Sequence, residues 1–366
     1  MRADCARVNK LAGADNRAVC DYRRFRPDAA SAARIRCALA FARLRRVSLP
    51  RVRSSSCAFL RVMMQKAVTA YTVTKWLAEP STPHYVVFVD LDGTLLDTGT
   101  ASWEAAASAL QALRTYGIPL ILVSSKTRAE LEPLRRRVQH QDPFIAENGA
   151  AVFVPQGLFT FPLERVRTKD SYDVIELGMP YHMLRDVLKQ IEDAVETPLH
   201  GFGDLSVDDI MQITGLSRAD ATLATMREYD EPFLLQGPQT LVEEVCRQID
   251  TRGLRWTKGG GLFHLTGDND KGAAAEILMR CYQLEQRLRF QSRPVESVGI
   301  GEGITDVPLL TVVDHPILVQ RPDGSFDTDV LLPRLVRTRG IGAAGWNDAM
   351  LRLLSYSFSG GMGLAG

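Results

Sequence analysis

The sequence predicts an α/β fold in which a parallel-sheet core with helices on both faces is interrupted by an inserted α+β module. Three observations predict it. From Tyr85 the chain alternates short apolar strands with amphipathic helices, the rhythm lapses between about Gly157 and Gly261, and it returns from Asp270 onward. Residues 85–91 are apolar almost throughout, as a strand buried on both faces requires. A helix is expected over 103–116, stopped by Gly117 and Pro119, then a buried strand over 120–123 and a helix over 128–139. Short strands at 144–146 and 151–154 flank Glu147-Asn148-Gly149, where Asn-Gly marks a tight turn. The inserted module, 157–261, holds helical segments at 180–195 and 218–229 and a strand at 233–235. A strand at 262–265 leads back to the core. There, helices at 270–284 and 305–312 alternate with strands at 297–300 and 317–319. The core is therefore expected over 85–156 and 262–355, and there is no internal repeat.

The chain has 366 residues, enough for one large domain or two ordinary ones, and a net charge of +1. That average hides a split. Residues 1–62 carry fourteen Arg and one Lys against four Asp, whereas the remainder holds 29 basic and 39 acidic residues. The acidic body argues against general nucleic-acid binding. No apolar run approaches the roughly 20 residues that span a bilayer, so no membrane partner is expected. Cys5, Cys20, Cys37 and Cys57 lie in the leader and only Cys246 and Cys281 in the body, with no disulfide or zinc spacing. A reducing, cytoplasmic setting is the simplest reading. The leader could be a transit peptide or a basic arm. Its scattered acids and lack of a processing pattern favour a disordered or artefactual extension, with Met63 or Met64 as a natural start.

The strongest chemical signal is Asp90-Leu91-Asp92-Gly93-Thr94, where the first strand ends. Ligands of open parallel sheets bind beyond the carboxyl ends of strands. Two carboxylates two residues apart there suit a nucleophile and a proton-transfer group, and Gly93 lets the chain turn sharply. An Asx-type turn is the plainer explanation of the motif taken alone. Three later fragments add to it. Ser124 follows the second strand and could donate to a phosphoryl oxygen or cap a helix. Lys271 opens a helix and could neutralise a transferred phosphoryl group or simply face solvent. The loop Gly299-Ile300-Gly301-Glu302-Gly303-Ile304-Thr305-Asp306 carries hard oxygen ligands suited to magnesium, or caps the next helix.

In this order the fragments resemble the haloacid dehalogenase superfamily of phosphatases, in the branch whose cap is inserted between the second and third motifs. The resemblance implies a Rossmann-like core and a mobile cap. It implies Asp90 as nucleophile, Asp92 as general acid and base, and Ser124 and Lys271 as phosphoryl-binding groups. Asp90, Asp92, Glu302 and Asp306 would surround Mg2+, Asp92 through its main-chain carbonyl.

Val123-Ser124-Ser125-Lys126-Thr127-Arg128, Ala146-Glu147-Asn148-Gly149-Ala150, Gly201-Phe202-Gly203-Asp204, Arg227-Glu228-Tyr229-Asp230-Glu231-Pro232-Phe233, Phe263-His264-Leu265, Asp270-Lys271-Gly272 and Gly345-Trp346 are similar to the mannosyl-3-phosphoglycerate phosphatase family. That narrower likeness covers nearly all of 85–350. It implies a small phosphorylated sugar as the only partner, with Ser125, Lys126, Asn148, Arg227 and His264 as substrate-binding residues. Lys126, Arg128, Arg165, Arg167 and Arg227 are candidate cations for a polyanion. Arg227 is the expected contact for the glycerate carboxylate; Asn148 and His264 could hold sugar hydroxyls, and His264 suits a buried structural role equally well.

Two departures stand out. Glu302 and Thr305 replace the family's Asp and Asn in the metal loop, and Lys258-Gly259-Gly260-Gly261 replaces an expected Arg-Gly-Gly-Arg. Alternatives to a mannosyl-3-phosphoglycerate phosphatase are a glucosyl-3-phosphoglycerate or sucrose-phosphate phosphatase, or a binding protein that has lost turnover. The oligomeric state is left open.

Overall fold

The apolar run after Pro83 forms β1 (His84–Asp90), a central strand of a nine-stranded sheet in the computed structural model of the chain, which describes residues 83–289 and 293–358. The leader and its four cysteines lie outside the described residues. β1 is flanked by β2 (Leu120–Val123) and, from the far end of the sequence, by β11 (Val295–Gly301), both parallel to it. Its side chains alternate between two cores. Val87 and Val89 join Leu110, Leu113, Leu131 and Trp346 on one face, whereas Val86 and Phe88 join Ala274, Leu278 and Tyr282 on the other. This two-sided burial is why the strand reads as continuously apolar rather than alternating.

Local chemistry sets the helix boundaries. A short 3-10 turn leads into α1 (Ala107–Tyr116), which ends where Gly117 takes a left-handed conformation at φ 63°. α2 (Arg128–Arg137) starts from a capping box between Thr127 and Glu130. β3 (Phe144–Ala146) extends the parallel part of the sheet. β4 (Ala151–Pro155) returns antiparallel across the 147–149 turn.

The next two strands correct the expected domain boundary at 157. β5 (Arg167–Lys169) and β6 (Tyr172–Glu176) continue the core sheet beyond β4, and Phe159 packs in the core. The module that stands apart begins only after Glu176. It comprises α3 (Tyr181–Val195), β7 (His200–Gly201), α4 (Val207–Thr214), α5 (Arg218–Ala224), β8 (Asp230–Leu234), α6 (Gln239–Asp250), β9 (Arg255–Gly259) and β10 (Leu262–Thr266). β10 pairs with β8 and β9 in an antiparallel four-stranded sheet ordered β7-β8-β10-β9. One face of that sheet, through Phe233, Phe263 and Leu265, packs on α3 and α6. Leu262 on the other face meets Ile210 and Ala224 of α4 and α5.

The chain re-enters the core at α7 (Lys271–Leu288) and completes it with β11 (Val295–Gly301), α8 (Val307–Val312), β12 (His315–Gln320), β13 (Val336–Ile341) and α9 (Gly342–Phe358). The sheet order is β13-β12-β11-β1-β2-β3-β4-β6-β5, parallel from β13 to β3 and antiparallel beyond. The two crossings between core and cap run side by side. A Cβ on Gly267 would lie 2.8 Å from the Met179 nitrogen, so glycine is required at this crossing. Among the described residues, no helix is long and apolar enough to cross a membrane.

At the opposite end of the sheet from the Asp90 motif, Arg135 lies 4.4 Å over the Phe144 ring and donates to His140 Nδ1 at 3.0 Å. The other ring nitrogen then carries the proton and donates to the Leu120 carbonyl. Burial pushes the His140 pKa down from 6.5 to about 3, and Arg135 adds to that shift. A depressed histidine stabilises the fold above its unfolded pKa, and that stability is lost as pH falls through the folded value. Wild type should therefore lose stability between pH 6.5 and about 3. His140→Gln, which keeps one acceptor and one donor, should lose less over the same window. Urea unfolding at stepped pH checks this, and parallel profiles would remove His140 from the acid response.

Candidate active site

Asp90 is the last residue of β1 and Val123, its register partner, the last of β2, so Asp90 and Ser124 leave the sheet side by side. Lys271 is the first residue of α7, whose N-cap Asp270 accepts from the Ala273 amide. Its ammonium, 4% exposed, lies 2.7 Å from Asp90 Oδ1 and 2.7 Å from Asp306 Oδ1. The other oxygen of Asp306 accepts from the Glu302 and Gly303 amides. Residues 181 and 35 positions apart thus meet in one buried triad. Burial would lower the lysine pKa, but Asp306 and Asp90 hold it above its ordinary value. Burial pushes the Asp90 carboxyl up to about 7; Asp306 adds to this and Lys271 opposes it.

Ser124 is buried and its hydroxyl accepts from the Lys126 amide at 3.1 Å, which leaves the O–H free to donate. Asp92 is 57% exposed and faces Lys126, whose ammonium is 2.9 Å from Asp92 Oδ2. Burial lowers the Lys126 pKa, but Asp92 and Glu130 overcome that and raise it. Glu302 folds over Gly93, where an added Cβ would meet its Oε2 at 1.9 Å. Burial, then Asp306, raises its carboxyl.

Asp90, Asp92, Glu302 and Asp306, the residues expected around Mg2+, all stand at or just beyond the carboxyl ends of β1 and β11. Lys271 bridges Asp90 and Asp306 while Asp92 turns to Lys126; among the described residues no three His, Cys, Asp or Glu side chains are grouped to hold a metal ion. The donor chemistry nevertheless fits magnesium, which takes one or two carboxylates and keeps its waters. Burial, with Asp306 adding to it, raises the Asp90 and Glu302 carboxyls, and a divalent cation beside them would favour their charged forms.

The expected substrate contacts divide. Lys126 and Ser125 lie on the loop that carries Ser124. Asn148 Nδ2 donates to Asp230 Oδ2 at 3.1 Å, and His264 Nδ1 lies 2.9 Å from the same oxygen. Arg227 was expected to meet a substrate carboxylate, and its guanidinium is otherwise engaged. It is 6% exposed, donates to the Ala224 and Ser125 carbonyls at 3.0 and 2.8 Å, and has Asp230 3.6 Å away. Arg128 and Arg167 pair with Glu228 and Glu176, and Arg165 is exposed in the loop before β5.

Two residues inside the quoted motifs had been assigned no role. Asp230 is fully buried at the start of β8. Glu147 is 1% exposed and accepts from the Glu228 and Tyr229 amides at 3.0 and 2.8 Å. Burial pushes the Glu147 carboxyl up to about 8 against the pull of Arg227 and those amides. The signal that could have found Glu147 is a carboxylate inside an otherwise apolar hairpin.

A pair of carboxylates at a strand end, a buried bridging lysine and an inserted cap agree with a phosphatase of the haloacid dehalogenase class. Residues 87–177 match the model of haloacid dehalogenase-like hydrolases. A solved haloacid dehalogenase-like hydrolase from Bacteroides thetaiotaomicron aligns over 74% of this chain and 99% of its own at TM-score 0.50 and 14% identity, a likeness of fold. The glucosyl-3-phosphoglycerate/mannosyl-3-phosphoglycerate phosphatase of Methanococcoides burtonii is 41% identical over 74% of this chain and 97% of its own. The mannosyl-3-phosphoglycerate phosphatase of Pyrococcus furiosus is 33% identical over 64% and 90%. The chain belongs to the mannosyl-3-phosphoglycerate phosphatase family and is a phosphoric monoester hydrolase. The alternative of a binding protein without turnover is set aside.

Proposed function

We propose that this chain is a magnesium-dependent, cytoplasmic phosphatase that converts mannosyl-3-phosphoglycerate to mannosylglycerate and phosphate through an aspartyl-phosphate at Asp90. The supporting observation is the Lys271 ammonium held 2.7 Å from both Asp90 and Asp306 at the ends of the central strands. Asp90 attacks phosphorus, the phosphorus–oxygen ester bond breaks, and Asp92 gives its proton to the departing glycerate oxygen. Asp92 then takes a proton from water, whose oxygen attacks the acyl phosphate and frees Asp90. Ser124 donates to a phosphoryl oxygen and Lys271 neutralises charge on the transferred group. Asp90, Glu302, Asp306 and the Asp92 carbonyl would hold magnesium, which supplies positive charge against the phosphoryl oxygens when bound. Cys246 and Cys281 are free thiols, in keeping with a reducing compartment.

Glu302 tests the metal assignment. Glu302→Ala removes a charged ligand and should raise the magnesium concentration for half-maximal activity at least about ten-fold, the worth of one charge-assisted contact. Glu302→Asp only repositions the oxygens and should leave it equal or lower. Coincident titrations for wild type and Glu302→Ala would show that this side chain is no ligand. Because the Methanococcoides relative is named for both hexoses, glucosyl-3-phosphoglycerate is the second substrate to assay. Phosphate release across a panel of glycosyl-phosphoglycerates and sucrose phosphate decides among them.

A further inference from the structure

We propose that Glu147 is a positioning residue that clasps the cap onto the Ser124 loop, so that seating the cap and setting the phosphoryl-binding hydroxyl are one event. The 147–149 turn stands where three parts of the molecule meet. Towards the Ser124 loop, the Glu147 amide donates to the Lys126 carbonyl at 3.1 Å and the Asn148 amide to the Ser124 carbonyl at 3.0 Å. Towards the cap, the Glu147 carboxyl accepts from the Glu228 and Tyr229 amides, and Asn148 Nδ2 donates to Asp230 Oδ2. Towards Lys271, Asn269 Nδ2 donates to the Asn148 carbonyl at 3.3 Å. A Cβ on Gly149 would lie 2.1 Å from the Asp270 carbonyl oxygen.

The same joint has further ties. Arg227 Nη1 donates to the Ser125 carbonyl, the Thr127 hydroxyl to the Leu223 carbonyl at 3.1 Å, and Arg128 Nε to Glu228 Oε1 at 3.1 Å. Each residue from Ser124 to Arg128 is therefore bonded either to this turn or to the cap segment 223–228. Glu147 and Asn148 both hold positive φ, at 48° and 58°, a conformation that non-glycine residues keep only when their surroundings impose it. Away from these bonds, the chain passes between core and cap at the paired crossings near Gly178 and Gly267, Lys169 of β5 pairs with Glu228, and Arg255 of β9 pairs with Asp270. Movement about those crossings would have to break the Glu147 contacts, and the Ser124 loop would lose its anchors with them.

Glu147→Gln keeps the shape but offers one acceptor oxygen in place of two and puts an NH2 against an amide donor. In the full-length protein, amide hydrogen exchange across 223–230 should accelerate about ten-fold, the cost of leaving one buried amide donor without its acceptor. Exchange in β1 should stay unchanged. With a small aryl phosphate and magnesium, kcat should fall by a similar factor and KM should move less, because the loop is misplaced in the transition state. Unchanged exchange over 223–230, or equal acceleration in β1, overturns the clasp. If Glu147→Gln does not fold, Arg227→Lys, which loses the bond to the Ser125 carbonyl, carries the same expectation and the same overturning result. The kinetic arm rests on Ser124 binding the phosphoryl group and the exchange arm does not. Accelerated exchange with normal kcat would therefore retain the clasp as a contact and reject its action through Ser124.

Discussion

Asp90→Asn should lower phosphate release by at least about 10⁴-fold, because the amide keeps the shape and lacks the charge needed to attack phosphorus. The fold should survive. Burial pushes the Asp90 carboxyl up to about 7, so its charged form is costly where it stands, and a neutral amide removes that cost. The melting temperature should stay within about 4 °C of wild type, corresponding to roughly 1–2 kcal/mol in a domain of this size. Single-turnover mixing with an aryl phosphate, followed by acid quench, should trap phosphate on wild type and none on the variant. A variant with near-normal turnover would rule out covalent catalysis at this position.

Lys271→Met has the next largest expected effect, and it differs in kind because it should reduce both stability and turnover. The side chain keeps nearly the same length but loses the charge between Asp90 and Asp306. Breaking a buried pair from one side costs about 3–5 kcal/mol because the remaining charge is left uncompensated. Here two carboxylates are left facing each other. Turnover should fall on the order of 10²–10³-fold through loss of charge stabilisation on the transferred group. Urea unfolding and phosphate release on the same preparation separate the two. A variant as stable as wild type would show that the bridge is not structural.

Whether a segment could be read from the sequence depended on how far away its partners lie. The central strands and helices α1, α2, α3 and α7 were visible because burial on fixed faces imposes a local period. The polar edge strands β5, β9 and β13 were not, since an edge strand of exposed Arg, Thr and Lys carries no apolar period. Helix α5 was expected to run to residue 229 and stops at Ala224. The Glu228 and Tyr229 amides are taken by Glu147, 81 and 82 residues away, which no local pattern records.

The order of chemical groups along the chain was decided by sequence alone: a carboxylate pair after the first strand, a hydroxyl after the second, a lysine opening a helix and an acidic loop after a later strand. That order fixes the class of reaction, because each group sits at a strand end or helix start and the sheet's parallel connectivity brings those ends together. Only the tertiary structure decided what the remaining polar groups do. It put residues 167–176 in the core sheet, joined Arg227 to the Ser125 carbonyl, and set the Glu147 carboxyl against the Glu228 and Tyr229 amides. A charged side chain's role follows from its desolvation and from which partners reach it, and both arise from contacts that form only when distant segments pack.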